Sequence, residues 1–218
     1  MLKKYKGDKM RDLIVQWLWM LLVPFILVIL ALVWSIKSFQ KLRETWRLLG
    51  RHLGVDADVP EQWSEYMGGQ FPSLSGQIDG LTFFATMEAR AYGRDTITFT
   101  CLSVELSRWR EKTLSIYTEG LLDKLGKKLG EQDLELGMPI FDEQFIIQSN
   151  DEQFAKQILT SDVRALIIQC LRLNGNLKIQ NGKLIYEEIW TVKYEEDRED
   201  LLDLVPIFIQ IAKKIQPY

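Results

Sequence analysis

The longest apolar pattern in the chain runs from Leu13 to Ile36, broken only by Gln16, Ser35 and a mid-run proline, Pro24. A bilayer core needs about 20 consecutive, mostly apolar residues in a helix, so the run predicts a transmembrane helix. It holds no Asp, Glu, Lys or Arg, as expected when a charge at membrane depth costs several kcal/mol. Trp17, Trp19 and Trp34 stand near its ends, where an indole can place its N–H among headgroups. A basic start before an apolar stretch also describes a secretory signal peptide, which needs a shorter apolar region and a small-x-small cleavage site. Ala31-Leu32-Val33-Trp34-Ser35 offers no such step, and neither cysteine lies near enough for a lipobox. The run reads as a retained anchor.

After it the period changes twice. From Ser38 to Leu53, Leu42, Trp46, Leu49 and Leu53 recur at three- and four-residue spacing. That spacing predicts a helix continuing from the anchor and stopping at Gly54. Val55 to Pro72 reads as a linker with one short helical turn around Glu61 to Tyr66. Alternation then predicts strands Leu74–Ile78 and Leu81–Ala91 around an Asp79-Gly80 turn. Thr96–Leu106 follows, with Ile97, Phe99 and Cys101 inward, and then Thr113–Thr118. The pattern is an antiparallel meander with one face on a core and the other in water.

Gly120 to Leu129 reads as a short amphipathic helix and Phe141 to Gln148 as a strand. Ser149 and Glu152 form a capping box opening a helix to about Leu159, and Ser161 opens another whose stripe includes Val163, Ile167 and Cys170. A second hairpin, Asn176–Ile179 and Lys183–Val192, turns at Asn181-Gly182. The last helix is expected from Asp197 as N-cap to Ile215, kinked at Pro206. The sum is an α+β fold: an N-terminal transmembrane helix, then an antiparallel β-meander with helices packed on one side. The divisions are a basic tail (1–12), the transmembrane helix (13–36), a juxtamembrane amphipathic helix (37–54), a linker (55–72) and the α+β domain (73–218).

Composition sharpens this picture in three ways. Roughly 180 residues follow the anchor, enough for one domain with its own core. The net charge is only −3, so nothing points to nucleic acid; the bilayer is the partner the pattern names. Two cysteines, Cys101 and Cys170, do not make a disulfide scaffold, although they could pair if both faced one core. For orientation, the tail carries five basic residues (Lys3, Lys4, Lys6, Lys9, Arg11) and the following flank five (Lys37, Lys41, Arg43, Arg47, Arg51). The tail packs them more densely and adds the amino terminus, which favours a tail-in, domain-out arrangement.

Candidate chemistry is sparse. His52, the sole histidine, sits among basic residues far in sequence from either cysteine, and reads as a solvated helix residue. No zinc-ligand spacing, Gly-x-Gly-x-x-Gly or Walker-type loop occurs, so no metal, cofactor or catalytic residue is assigned. Acids are paired at Glu187-Glu188 and clustered at Glu195, Glu196, Asp197, Glu199 and Asp200. They read as a solvated strand end and a helix N-terminus favoured by its dipole. Phe141-Asp142-x-x-Phe145 stands out: two aromatics flank an acid at a strand entrance, a candidate ligand or partner contact beside its plainer reading as core aromatics and a turn acid.

Several stretches together resemble a group of membrane-tethered bacterial proteins to which no activity is assigned. They are Leu49-Gly50-Arg51-His52-Leu53-Gly54, Gly76-Gln77-Ile78-Asp79-Gly80-Leu81, the Thr-rich strand near Thr96, and Pro139 to Ile147 followed by Ser149-Asn150-Asp151. The resemblance spans about residues 38 to 190 and implies a bacterial inner-membrane protein with an attached α+β domain. In that group the basic cluster lies mainly after the anchor, which implies a cytoplasmic domain; the equally basic tail here departs from it. The functional expectation is a non-enzymatic module that binds another protein or its own copy. The alternatives are a lipid or small-molecule binder at the membrane surface and, more distantly, a carboxylate-based hydrolase.

Overall fold

A computed structural model describes residues 2–118, 134, 137, 139–171 and 175–216. The predicted helix Gly120–Leu129 lies outside them. By its internal contacts the chain divides into two compact units, Met1–Lys41 and Leu42–Tyr218. Helix α1 (Leu2–Leu53) is continuous through the basic tail, the apolar run with Pro24, and the juxtamembrane stretch. Its apolar segment has a mean hydropathy of 2.6 with none of it buried, and among the described residues it is the one helix long and apolar enough to cross a membrane.

The second unit is an eight-stranded antiparallel sheet in the order β1-β2-β3-β4-β8-β7-β5-β6. Its strands are β1 (Asp56–Asp58), β2 (Ser73–Ile78), β3 (Leu81–Tyr92), β4 (Asp95–Glu105), β5 (Leu114–Thr118), β6 (Phe145–Ser149), β7 (Gly175–Gln180) and β8 (Lys183–Glu188). The two sequence-predicted hairpins form at the expected turns, although β8 ends at Glu188 and not at the expected Val192. Asp79 and Gly80 take φ of 52° and 79°, Asn181 and Gly182 53° and 71°, the left-handed values that Asx-Gly turns supply. The order departs from a simple succession after β4, because the β7–β8 hairpin inserts between β4 and β5. β1 was not expected within the linker. It is three exposed residues long, and its Ala57 lies against Gly50 of α1, where an added Cβ would stand 2.9 Å from Ala57 Cβ.

Among the described residues, five further helices are α2 (Trp63–Met67), α3 (Pro139–Asp142), α4 (Glu152–Ile158), α5 (Ser161–Cys170) and α6 (Glu195–Ile215). The core combines one sheet face, including Phe83, Met87, Leu102, Ile116 and Tyr186, with Leu42, Trp46 and Leu49 of α1 and the inner stripes of α4, α5 and α6. Helices on one side of an antiparallel sheet make the α+β architecture. Caps differ in detail from expectation. Asp151, not Ser149, caps α4 by accepting from Phe154 N at 3.0 Å. Asp197 is not the N-cap of α6; its carboxylate reaches back to the N–H groups of Lys193 (3.0 Å) and Tyr194 (2.7 Å). α6 continues through Pro206.

The register of β4 reverses one expectation. Thr100, Leu102 and Val104 face the helical core, while Phe99 and Cys101 lie on the opposite face. Leu102 and Val104 decide it, since a period-two strand can bury only one set against the helices. The opposite face is not simply wet either: Phe99, Cys101, Tyr117, Asn176 and Glu187 on it are all buried. Cys101 and Cys170 therefore belong to opposite faces of the sheet, and they do not form a disulfide with each other.

Candidate functional site

The stretch singled out in the sequence folds as a helical turn running into a strand. Phe141 and Asp142 belong to α3, and β6 begins only at Phe145. Both rings are buried and pack against each other with centroids 4.8 Å apart; Asp142 between them is half-buried. His52 is exposed at the end of α1, with Nδ1 2.9 Å from the carbonyl of Leu48 in its own helix. Glu195 and Glu196 occupy the first turn of α6, where the dipole favours them.

Glu187 and Glu188, adjacent in sequence, part company because successive strand residues point to opposite faces. Glu187 lies on the face away from the helices, opposite Cys101 and Asn176 in register. It accepts hydrogen bonds from Arg90 (2.8 Å), Lys178 (2.6 Å) and Asn176 (3.4 Å). Burial pushes its carboxyl up, but the Arg90 hydrogen bond and Lys178 outweigh that and hold it below the usual glutamate value. Beside it the Cys101 thiol is pushed up to about 12, chiefly by burial and then by Glu88 and Glu187. A thiol so shifted is not a nucleophile at neutral pH.

Glu188 points the other way, into a cleft of about 220 Å³ between α5, α6 and the end of β8. Gln169, Cys170, Tyr186, Glu188, Ile189, Trp190, Asp200, Leu204 and Ile207 line it. Tyr186 Oη donates to Glu188 Oε2 at 2.6 Å, and Trp190 Nε1 donates to Asp197 Oδ1 at 3.0 Å, so the surrounding side chains hold both lining residues. Burial first, and the Asp200 charge after it, raise the Glu188 pKa against the Tyr186 hydrogen bond, which lowers it. Gly175, opposite Glu188 in β7, leaves room for the Tyr186 ring: a Cβ there would lie 2.7 Å from its Cε2. A strand glycine at such an approach is a usable sequence signal.

Among known structures, this fold is similar to the mycobacterial trehalose monomycolate transport factor A, TtfA. The match has a TM-score of 0.52 at 12% identity, covering 81% of this chain and 97% of that one. The likeness is one of fold. No family model matches the sequence, and no curated protein does.

Chemically, the cleft combines an apolar wall with two carboxyls in different environments, Glu188 partly desolvated and Asp200 exposed. Such a pair suits the binding of a cation. No group of three or more His, Cys, Asp or Glu among the described residues is placed to hold a metal ion.

Proposed function

We propose that this chain is a single-pass membrane protein of the bacterial inner membrane whose α+β domain is a non-enzymatic interaction module. The observation that carries the reading is α1 itself. One unbroken helix holds the exposed apolar run, and its last turns place Leu42, Trp46 and Leu49 in the domain core. A domain built onto its own anchor helix is tethered by construction, and the fold it shares with a transport factor supports an accessory role at a membrane. The partner in this reading is another protein or a second copy of the chain, with the half-buried Asp142 as one contact point and the buried rings of Phe141 and Phe145 as its support. The domain stands on the extracytoplasmic side, on the strength of the denser charge in the tail.

The test is native mass spectrometry of the full-length protein released gently from its own membranes. A stoichiometric protein adduct or homo-oligomer is expected, weakened by Asp142→Lys. A monomer without protein adducts across the concentration range of the membrane would overturn the reading.

A second reading rests on the cleft. Its volume and its mixture of apolar and carboxyl lining suit a small molecule at the membrane surface. About 220 Å³ falls below the roughly 300–1,000 Å³ typical of drug-sized ligand pockets, so a headgroup-sized ligand fits and an enclosed acyl chain does not.

A further inference from the structure

We propose that the cleft between α5, α6 and the end of β8 binds a small organic cation: an ammonium on a short apolar body. Glu188 and Asp200 meet the charge, and Trp190, Leu204 and Ile207 meet the apolar part. The proposal rests on the second reading above and names its ligand class.

Charge argues for it first. The cleft lining holds two carboxyl groups and no Lys or Arg. Neither acid takes part in an ion pair among the described residues, whereas on the opposite face Glu187 is met by both Arg90 and Lys178. The same strand thus neutralises one glutamate with two cations and leaves its neighbour, pointing the other way, with a tyrosine hydroxyl. A carboxylate half removed from water gains from an incoming cation, while an anionic ligand such as a phosphate or fatty-acid carboxylate would meet like charge. Orientation argues next. Tyr186 donates to one Glu188 oxygen at 2.6 Å, and Gly175 leaves the space that keeps the Tyr186 ring in place, so the carboxyl is held before a ligand arrives. The wall argues last. An indole is the best aromatic surface for a cation, and Trp190 is itself fixed by its bond to Asp197. Leu204 and Ile207, three apart on α6, present aliphatic surface for a short chain.

An ammonium reaches such a site either as a free amine or as the headgroup of an aminolipid. The experiment titrates the full-length protein, in nanodiscs of phosphatidylglycerol, with n-butylammonium and with the neutral 1-pentanol, whose one extra methylene favours the alcohol wherever apolar contact alone decides, by calorimetry. Butylammonium is expected to bind at least about tenfold more tightly than pentanol. The Glu188→Gln/Asp200→Asn double variant is expected to lose about that factor for butylammonium while keeping its pentanol affinity. Gln at 188 still accepts from Tyr186, and circular dichroism checks the fold. Ile207→Trp, which fills the cleft from α6 without touching the acids, should abolish both. Repeating the titration with phosphatidylethanolamine in the nanodisc assigns the source: weakened butylammonium binding marks the lipid headgroup, unchanged binding a soluble amine. Equal binding of both probes would overturn the cation and leave the cleft as a small-molecule site. Binding of neither would overturn the cleft reading as well.

Discussion

At the scale of single residues, Glu187 and Glu188 carry opposite signs in the pH dependence of stability. The Glu187 pKa is lowered in the fold, so its contribution is present above the unfolded glutamate value of about 4.3 and is lost as pH falls through the folded one. Glu187→Gln removes the negative charge between Arg90 and Lys178. It should cost about 2 kcal/mol at neutral pH, a figure held down by the partial exposure of both bases, and little in acid. Glu188 is raised by burial and by Asp200 on α6; Tyr186 on its own strand opposes this, and the buried Cys170 thiol of α5 also lines the site. Its contribution is therefore fully present below the unfolded value and is lost as pH rises through the folded one. Glu188→Gln should raise the melting temperature at neutral pH by about 2–4 °C, and the gain should vanish below about pH 4. Thermal melts of both variants from acid to neutral pH check the pair. A common sign for the two would contradict the opposite environments described. In the sequence they read as one acidic dipeptide at a solvated strand end. Only the register, which pairs Glu187 with Cys101 and Glu188 with Thr100, separates their chemistry.

At the scale of elements, the joint between α1 and the sheet domain is set by Trp46. Its side chain is fully buried and Nε1 donates to the Val192 carbonyl at 2.9 Å, while the Thr45 hydroxyl donates to the Lys193 carbonyl at 2.9 Å. These bonds fix the segment between β8 and α6 against α1. Trp46→Phe keeps most of the packing and strands the Val192 carbonyl, for an expected cost of about 1–3 kcal/mol; Trp46→Ala adds a cavity, about 3–5 kcal/mol. Denaturant unfolding of the two variants checks the difference between them. The packing half of this joint was legible, because Leu42, Trp46 and Leu49 share a helical stripe. The hairpins were legible for a local reason too, since Asp-Gly and Asn-Gly turns need no distant partner. What escaped the sequence was non-local. The entry of β7–β8 between β4 and β5, the short β1 over Gly50, and the cleft assembled from three elements depend on residues far apart in the chain. The expected face of Phe99 and Cys101 differs from the observed one because β4 is buried on both sides from Phe99 to Leu102. Period two then marks a strand without saying which side is in.

At the scale of the whole molecule, the two thiols supply a silent background for asking which side of the membrane the domain occupies. Cys101 is 8% exposed and Cys170 1%, on opposite faces of the sheet, so neither is placed to pair with the other. A disulfide needs Cα atoms about 4.4–6.8 Å apart, and a sheet lies between these two. The chain should thus keep two reduced thiols in either compartment, and neither should react with a maleimide while folded, Cys101 least of all with its thiol at about 12. A single new cysteine at an exposed position, Ser64→Cys on α2, then reports location without removal of the native ones. With a membrane-impermeant maleimide on intact spheroplasts, the domain-out arrangement expects labelling at Ser64→Cys comparable to that after lysis, and none of the parent chain. Labelling only after lysis would place the domain in the cytoplasm, and the flank Lys37 to Arg51, not the amino-terminal tail, would then be the segment that sets orientation. Five basic residues on each side make the charge count itself indifferent, so the decision falls to their density: five within the first eleven residues against five spread from 37 to 51. Replacing Lys3, Lys4 and Lys6 with Gln removes that excess and should shift part of the population to the inverted topology in the same assay.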